Sequence, residues 1–531
     1  MKSVYPERKR CARAFAVLCI LGLFSLTQVR GQFAPDPALV PRLKSFRTSN
    51  RIVISWPVSP YDCAIESASS LTGSWTLVTN IPGAVIVPGA TNVPEGDIQL
   101  SFARVGKQFF RAHVAWTPYS PIVIKPLTEY FIFSTLDLEI APDAMTTFNG
   151  PVHCSSNIYV TPESALTFTA PVTAVGAIVE TNSPLDPTLR SVGTVTFEAG
   201  QVSHALPLTI GSDTNHTAES WREMVELPRA GENPASAVGQ SRLYNKADLI
   251  IELSGTFAAP ITMVKSGLYN NFATTVAKVQ YVRTGATGWL DYDNTFYNKR
   301  EGKTVRSIDI DVGTFKQWSR TNAVIRSSLG RDISTIYVID KRTYGATDQP
   351  GVRLVNGAEL PLLGLTVATP SPIYVLGHYN IKTIDGFSSG TNTTYTRPAA
   401  LIGDSITVLS RAWMDVNSTL SLTGRIATNT TVNAALIGGI VQTTSTNFSG
   451  GVENFIRHLE DWNEKTLTFN GAIVIGYPSK WASAPWNGYG ASTDVYMPPI
   501  RAWNYDGNFR SGNSSKWPPA IPVVGILSSD Y

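Results

Sequence analysis

The sequence predicts a mainly β protein: an N-terminal β-sandwich module followed by a parallel β-helix-like solenoid with an α+β insertion. Three observations predict it. The runs Val352–Val355, Leu365–Ala368 and Ile373–Leu376 are short, apolar and rich in β-branched residues, and Asn-Gly, Pro and Gly signals separate them. No helical periodicity fits between them, so the crossovers of an α/β fold are not expected. Strands joined by such short connections must reverse or coil, and the lack of long two-sided alternation favours coiling. Composition agrees: of 531 residues 16% are charged and 43% hydrophobic, with 41 Gly and 34 Pro, a balance suited to an exported all-β chain. The formal net charge of +3 supplies no field to gather nucleic acid.

The elements follow in order. Lys2, Arg8, Lys9, Arg10 and Arg13 precede the apolar stretch Ala14–Leu26, and Val29 and Gly31 put small side chains before Gln32. Residues 1–31 read as a signal peptide, with an uncleaved anchor as the alternative. The product is expected outside the cytoplasm: extracellular, at the cell surface or in a periplasm, with no membrane span after cleavage. Signal removal leaves Cys63 and Cys154, read as two buried thiols in different domains.

Residues 42–114 hold five strand-like runs, from Ile52–Trp56 to Gln108–Ala112, the pattern of a small sandwich. Trp56, the turn Ser70-Leu71-Thr72-Gly73-Ser74-Trp75 and the closing Phe109-Phe110-Arg111 resemble fibronectin-type-III-like modules of exported bacterial proteins.

Residues 127–182 read as the first solenoid rungs, with strands at Leu136–Ile140, Ile158–Val160, Leu166–Phe168 and Ala177–Val179. Residues 183–349 read as the α+β insertion. Thr217–Leu227 and Phe315–Ser327 have helical spacing, Ala247–Leu253 and Thr335–Ile339 are strand-like, and Val305–Val312 alternates with period two. Residues 350–479 read as the main solenoid. Residues 480–531, aromatic and Pro-rich, read as a cap over its open end, because Pro interrupts regular strand pairing while bulky rings can seal a core.

The runs Ala399–Ser410, Thr431–Val441 and Ser449–Phe455, with Leu243–Leu249 and Gly150–His153, resemble the C-terminal part of type IV pilus accessory (PilX-like) proteins. The resemblance covers residues 131–531. It implies a structural or adhesive partner of pilus components and carries no catalytic chemistry. The chain lacks the Gly-Phe-x-x-x-Glu cleavage motif of a pilin.

No catalytic residue, metal or cofactor is expected. Asp291-Tyr292-Asp293-Asn294 opens like a calcium loop, but Phe296 and Gly302 stand where such a loop needs Gly and Glu. Asp309 and Asp311 share a strand face and suit a cation, an acid/base role, or an edge strand protected by charge. His153 and Cys154 are adjacent and point to opposite faces. A β-helix polysaccharide lyase needs a Lys or Arg base beside acidic calcium ligands; Asp404, Glu453, Asn454 and Asp461, with Arg411 and Arg457 as the nearest bases, form no convincing cluster of that kind. Trp481, Trp486, Tyr489, Trp503 and Tyr505 are the candidate glycan-binding residues, since aromatic faces stack on sugar rings. The leading expectation is thus a secreted structural or adhesive surface protein contacting pilus components or cell-surface polysaccharide. The alternatives are a carbohydrate-active enzyme on a β-helix scaffold and a non-catalytic glycan binder.

Overall fold

The computed structural model describes residues 122–205, 218–257, 288–382, 392–510 and 516–527, apart from isolated positions within them, and separate strands elsewhere. The chain divides into two units, 1–124 with 526–531, and 125–525. In the first, strands Lys44–Arg47, Arg51–Pro57, Asp97–Ala103 and Val85–Pro88 form one antiparallel sheet. Thr76–Leu77, Cys63–Ala68 and Phe109–Val114 form another. The side chains between them, on which the sandwich expectation and the roles of Trp56, Trp75 and Cys63 rest, lie outside the described residues, as does the signal segment.

The second unit is mainly β with long parallel sheets, compatible with a β-helix-like fold. Its first two coils are 20 residues long, and the third lengthens to 29 between Val172 and Gln201. Ile132–Ser134, Val152–Cys154 and Val172–Ala174 stack in parallel register. So do Leu138–Ile140, Ile158–Val160 and Ile178–Val179 on a second face, and Thr146–Phe148, Leu166–Phe168 and Val195–Phe197 on a third. Stacking brings like onto like: Phe148, Phe168 and Phe197 lie 5.7 and 5.0 Å apart between ring centroids. At one corner Asp137 Oδ1 accepts the Asn157 amide, and Asn157 Oδ1 accepts that of Ala177.

Later coils build on the same plan with longer connections. Leu249–Gly255, Thr335–Asp340, Leu365–Ala368, Ala399–Ile402, Thr430–Ile440 and Thr466–Pro478 are successive parallel strands of one sheet. Lys303–Asp311, Asp348–Val355, Ile373–Leu376, Ile406–Leu409 and Ile456–Arg457 form the next face. Ile473–Ile475 then pairs in parallel with Ile132–Ser134. Both sets of coils therefore share a 13-stranded sheet and advance in one direction. Those first in sequence come last along the stack. An inward column, Leu249–Ile336–Val367–Leu401–Leu436–Ile473–Ile132–Val152–Val172, runs unbroken through the seam, every member 0% exposed. A ladder of amides also crosses it. Asn433 Nδ2 donates to Asn380 O, Asn470 to Asn433, Asn504 to Asn470 and Asn149 to Asn504.

This order obliges the chain to return from one end of the stack to the other. Residues 218–248 make the described part of that return, a strap over the outer face of the sheet from the seam toward Thr335–Asp340. Trp221 packs on Phe133 at 5.2 Å, Arg222 lies over the Tyr477 ring, and Tyr337 Oη donates to Val225 O at 2.6 Å. A sheet covered on both faces reads as continuous apolar runs, which is why Leu249–Leu253 shows no alternation.

Two expectations change. The stretch 183–349 does not interrupt the coils: Leu249–Gly255, Lys303–Asp311 and Thr335–Asp340 belong to the long parallel sheets. Their longer strands and antiparallel neighbours, Pro260–Ser266 and Leu290–Asn298, gave them a different local pattern. The tail is not a strandless cap. Ile500–Tyr505 pairs in parallel with Thr466–Gly471 despite nearby prolines, and the edge presumed open after residue 479 is met by Ile132–Ser134. Of the expected helices, the first is described from Ala218 and ends at Arg222, and the second begins earlier than expected, as Val312–Thr321.

Candidate functional site

Most of the carboxylates singled out by sequence are consumed by the fold. Asp404 is 0% exposed. It accepts Arg222 Nη1 at 2.7 Å and the consecutive amides of Lys480, Trp481 and Ala482 at 2.7, 2.9 and 2.9 Å, tying strap to tail. Asp309 is held by Arg353, which also binds Asp415 in bidentate fashion. Asp311 accepts Thr314 N–H at 2.7 Å and caps a helix. The two are not a cation pair. Asp291 lies opposite Asp309 in a strand, not in a calcium loop. Asp461 accepts the Asn463 amide in a turn, and Arg411 is exposed.

His153 and Cys154 do point apart. His153 stacks on Phe133 and meets Thr173 Oγ1 at 2.8 Å, while Cys154 Sγ donates to Leu136 O at 3.1 Å. Burial depresses the imidazole to about 4 and pushes the thiol up to about 12. Near neutral pH the imidazole is therefore uncharged and the thiol protonated, so neither an imidazolium nor a thiolate is available there.

Glu453, Asn454 and Arg457 converge at the seam with groups that sequence reasoning missed. Glu139, from the first coil, is 8% exposed and accepts Thr443 Oγ1 at 2.5 Å and the Ser449 hydroxyl. Glu453, 7% exposed, accepts the Ala141 amide at 3.2 Å. In each carboxyl Oε1 has no hydrogen-bond partner. Burial raises both, Glu453 to about 7, with Arg501 opposing that rise and Asp143 adding to it. Glu139 lines a cavity of about 60 Å³ with Ser183, Thr443 and Ser449. Next to it Arg300 donates to Asn454 Oδ1, and Arg457 pairs with Glu301. One signal for Glu139 was present in the sequence. Its equivalents one and two coils on are Tyr159 and Val179, so a carboxylate there breaks the repeat.

The five aromatic candidates separate. Trp503 and Tyr505 are 7% and 8% exposed. Trp503 packs on Phe469, and Tyr505 donates to Glu129 O at 2.8 Å. Neither offers a face to a glycan. Trp481, half-buried, meets Tyr344 edge-on. Trp486 and Tyr489 lie together at the surface near the seam, with Tyr489 40% exposed.

Among the described residues no group of three or more His, Cys, Asp or Glu is placed to hold a metal ion, and no helix is long and apolar enough to cross a membrane. Fold and site together define a mainly β protein of stacked parallel strands whose buried charges serve the stack. No protein-family model, curated protein or solved structure matches the chain.

Proposed function

We propose that the chain is an exported bacterial surface protein with a structural or adhesive role, built as a parallel β-helix behind a fibronectin-type-III-like sandwich. Association with pilus components follows from the sequence resemblance. The antiparallel strand order of the N-terminal unit supports the sandwich, and the three-faced 20-residue coils support the helix. The observation that carries the role is the seam: early and late coils join through one buried column and one amide ladder into a continuous body. A carbohydrate-active enzyme is the rival, favoured by Glu453 near 7 beside Arg501. The cavity at Glu139, about 60 Å³, is far below the roughly 300 Å³ at which ligand pockets begin, and neither Glu453 nor Arg501 lines it. Surface labelling of intact cells, with attachment and piliation scored after gene deletion, tests the proposal. Surface exposure and lost attachment are expected. Release of new reducing ends or unsaturated sugars from cell-surface polysaccharide by the purified chain overturns it in favour of the enzyme.

A further inference from the structure

We infer that Tyr489 and Trp486, with Asp143 and Arg501, form a binding subsite for a neutral hexose chain, an inference that rests on the adhesive reading. A sugar ring is recognised by an aromatic face against its C–H surface and by polar groups at its rim that exchange hydrogen bonds with hydroxyls. Both are present. Tyr489 is 40% exposed although its hydroxyl is anchored, donating to Asp143 Oδ2 at 3.2 Å. Trp486 lies 6.4 Å away at an interplanar angle of 57°, so the two rings make an angled seat for one pyranose instead of a flat row.

The seat is held from behind. Trp486 Nε1 donates to Tyr496 Oη at 3.0 Å, and its ring meets Phe448 edge-on at 5.5 Å. Phe448 in turn is covered by the Arg190 guanidinium at 3.6 Å. Rings fixed this way lose little freedom when a ligand arrives. Asp143 belongs to the corner between the second and third faces of the first coil. Its Oδ1 lies 3.4 Å from Arg501 Nη1, and both side chains keep solvent access, 34% and 20%. Acceptor and donor therefore stand at the rim together.

Charge selects the sugar. Glu163 occupies the position one coil beyond Asp143 and is exposed, and its field reaches Tyr489 along with those of Asp143 and Arg501. With Arg190 paired to Asp186, three carboxylates stand against two guanidiniums, which disfavours uronic acids and sulfated sugars and leaves neutral hexoses favoured.

Calorimetric titration of the full chain with gluco-, manno- and galacto-oligosaccharides, and with polygalacturonate, tests this. At least one neutral series should bind and polygalacturonate should not. Tyr489→Ala should weaken binding about tenfold or more, as expected for a lost stacking contact. Tyr489→Phe keeps the ring and should keep most of the affinity, and both variants should melt like the parent. No neutral binding, equal binding of polygalacturonate, or a Tyr489→Ala variant that melts like the parent and binds undiminished overturns the subsite. If no sugar binds but gene deletion still abolishes attachment, the subsite falls and the adhesive role stands. Sugar binding by a chain absent from the cell surface leaves the subsite and removes the role.

Discussion

Replacing Glu453 with Gln should flatten the pH dependence of stability. The carboxyl is 7% exposed, and burial lifts it from 4.5 to about 7. Below about pH 4.5 it is protonated folded and unfolded, and its contribution is fully present. As pH rises toward 7 the unfolded chain releases the proton while the folded chain keeps it, so stability falls. Above 7 both states are ionised and the loss levels off. At about 1.4 kcal/mol per pKa unit the wild type should lose on the order of 3 kcal/mol across this window relative to the variant. The Gln side chain can still accept the Ala141 amide, so the cross-seam bond survives. Arg501 and Asp143 face Glu453 in both proteins, and Glu139 titrates next to Thr443 and Ser449 in both. Their effects largely cancel in the difference. Urea melts of both proteins from pH 4 to 8.5 make the measurement (pH values roughly bracketing the window). Parallel stability curves would refute a Glu453 carboxyl that holds its proton into the neutral range.

Asp404→Ala strands the buried Arg222 guanidinium and three amides, and should cost about 3–5 kcal/mol in urea unfolding; a loss under 1 kcal/mol, about that of a surface pair, would contradict the assignment. Phe168→Ala removes the middle ring of the stack on the third face and should cost about 3–5 kcal/mol, read the same way. The Cys154 peptide should be alkylated only after unfolding, as mass spectrometry can show, because its thiol is buried and raised to about 12. Labelling of the native chain at that position would place the thiol at the surface.

Individual strands were legible. Leu365–Ala368 and Ile373–Leu376 fall where their β-branched runs stand, and the short runs from Leu136 to Val179 contain strands that stack in parallel register. What joined them was not. A three-residue strand carries no periodicity of its own, so the signal lay in the recurrence of Pro151-Val152 as Pro171-Val172 and of Phe148 as Phe168. The seam left no local trace: Thr135 Oγ1 donates to Gly476 O across 341 residues. Asn149, Asn380, Asn433, Asn470 and Asn504 become neighbours only once coils of unequal length have stacked. The carboxylates were visible as residues but not as partners. Asp404 looked available because Arg222 and the amides of 480–482 approach it from distant parts of the chain. Among the aromatics, sequence could not separate Tyr489 from Tyr505, since exposure is decided by which coil each packs against.

The permuted order of the coils sets a timetable for biogenesis. The strands around Ile132 leave the ribosome, and cross any export channel, before the strand around Ile473 that receives them. During that interval the growing fragment has an exposed apolar edge that its own sequence cannot yet cover. Seam closure is therefore a late, long-range event, slow by the rule that distant contacts delay folding. The strap keeps the waiting fragment tethered close to its eventual partner, raising the local concentration of the two edges toward each other. A chain arrested before residue 473 carries a sticky end, an attractive substrate for chaperones and proteases, while the finished chain has hidden it.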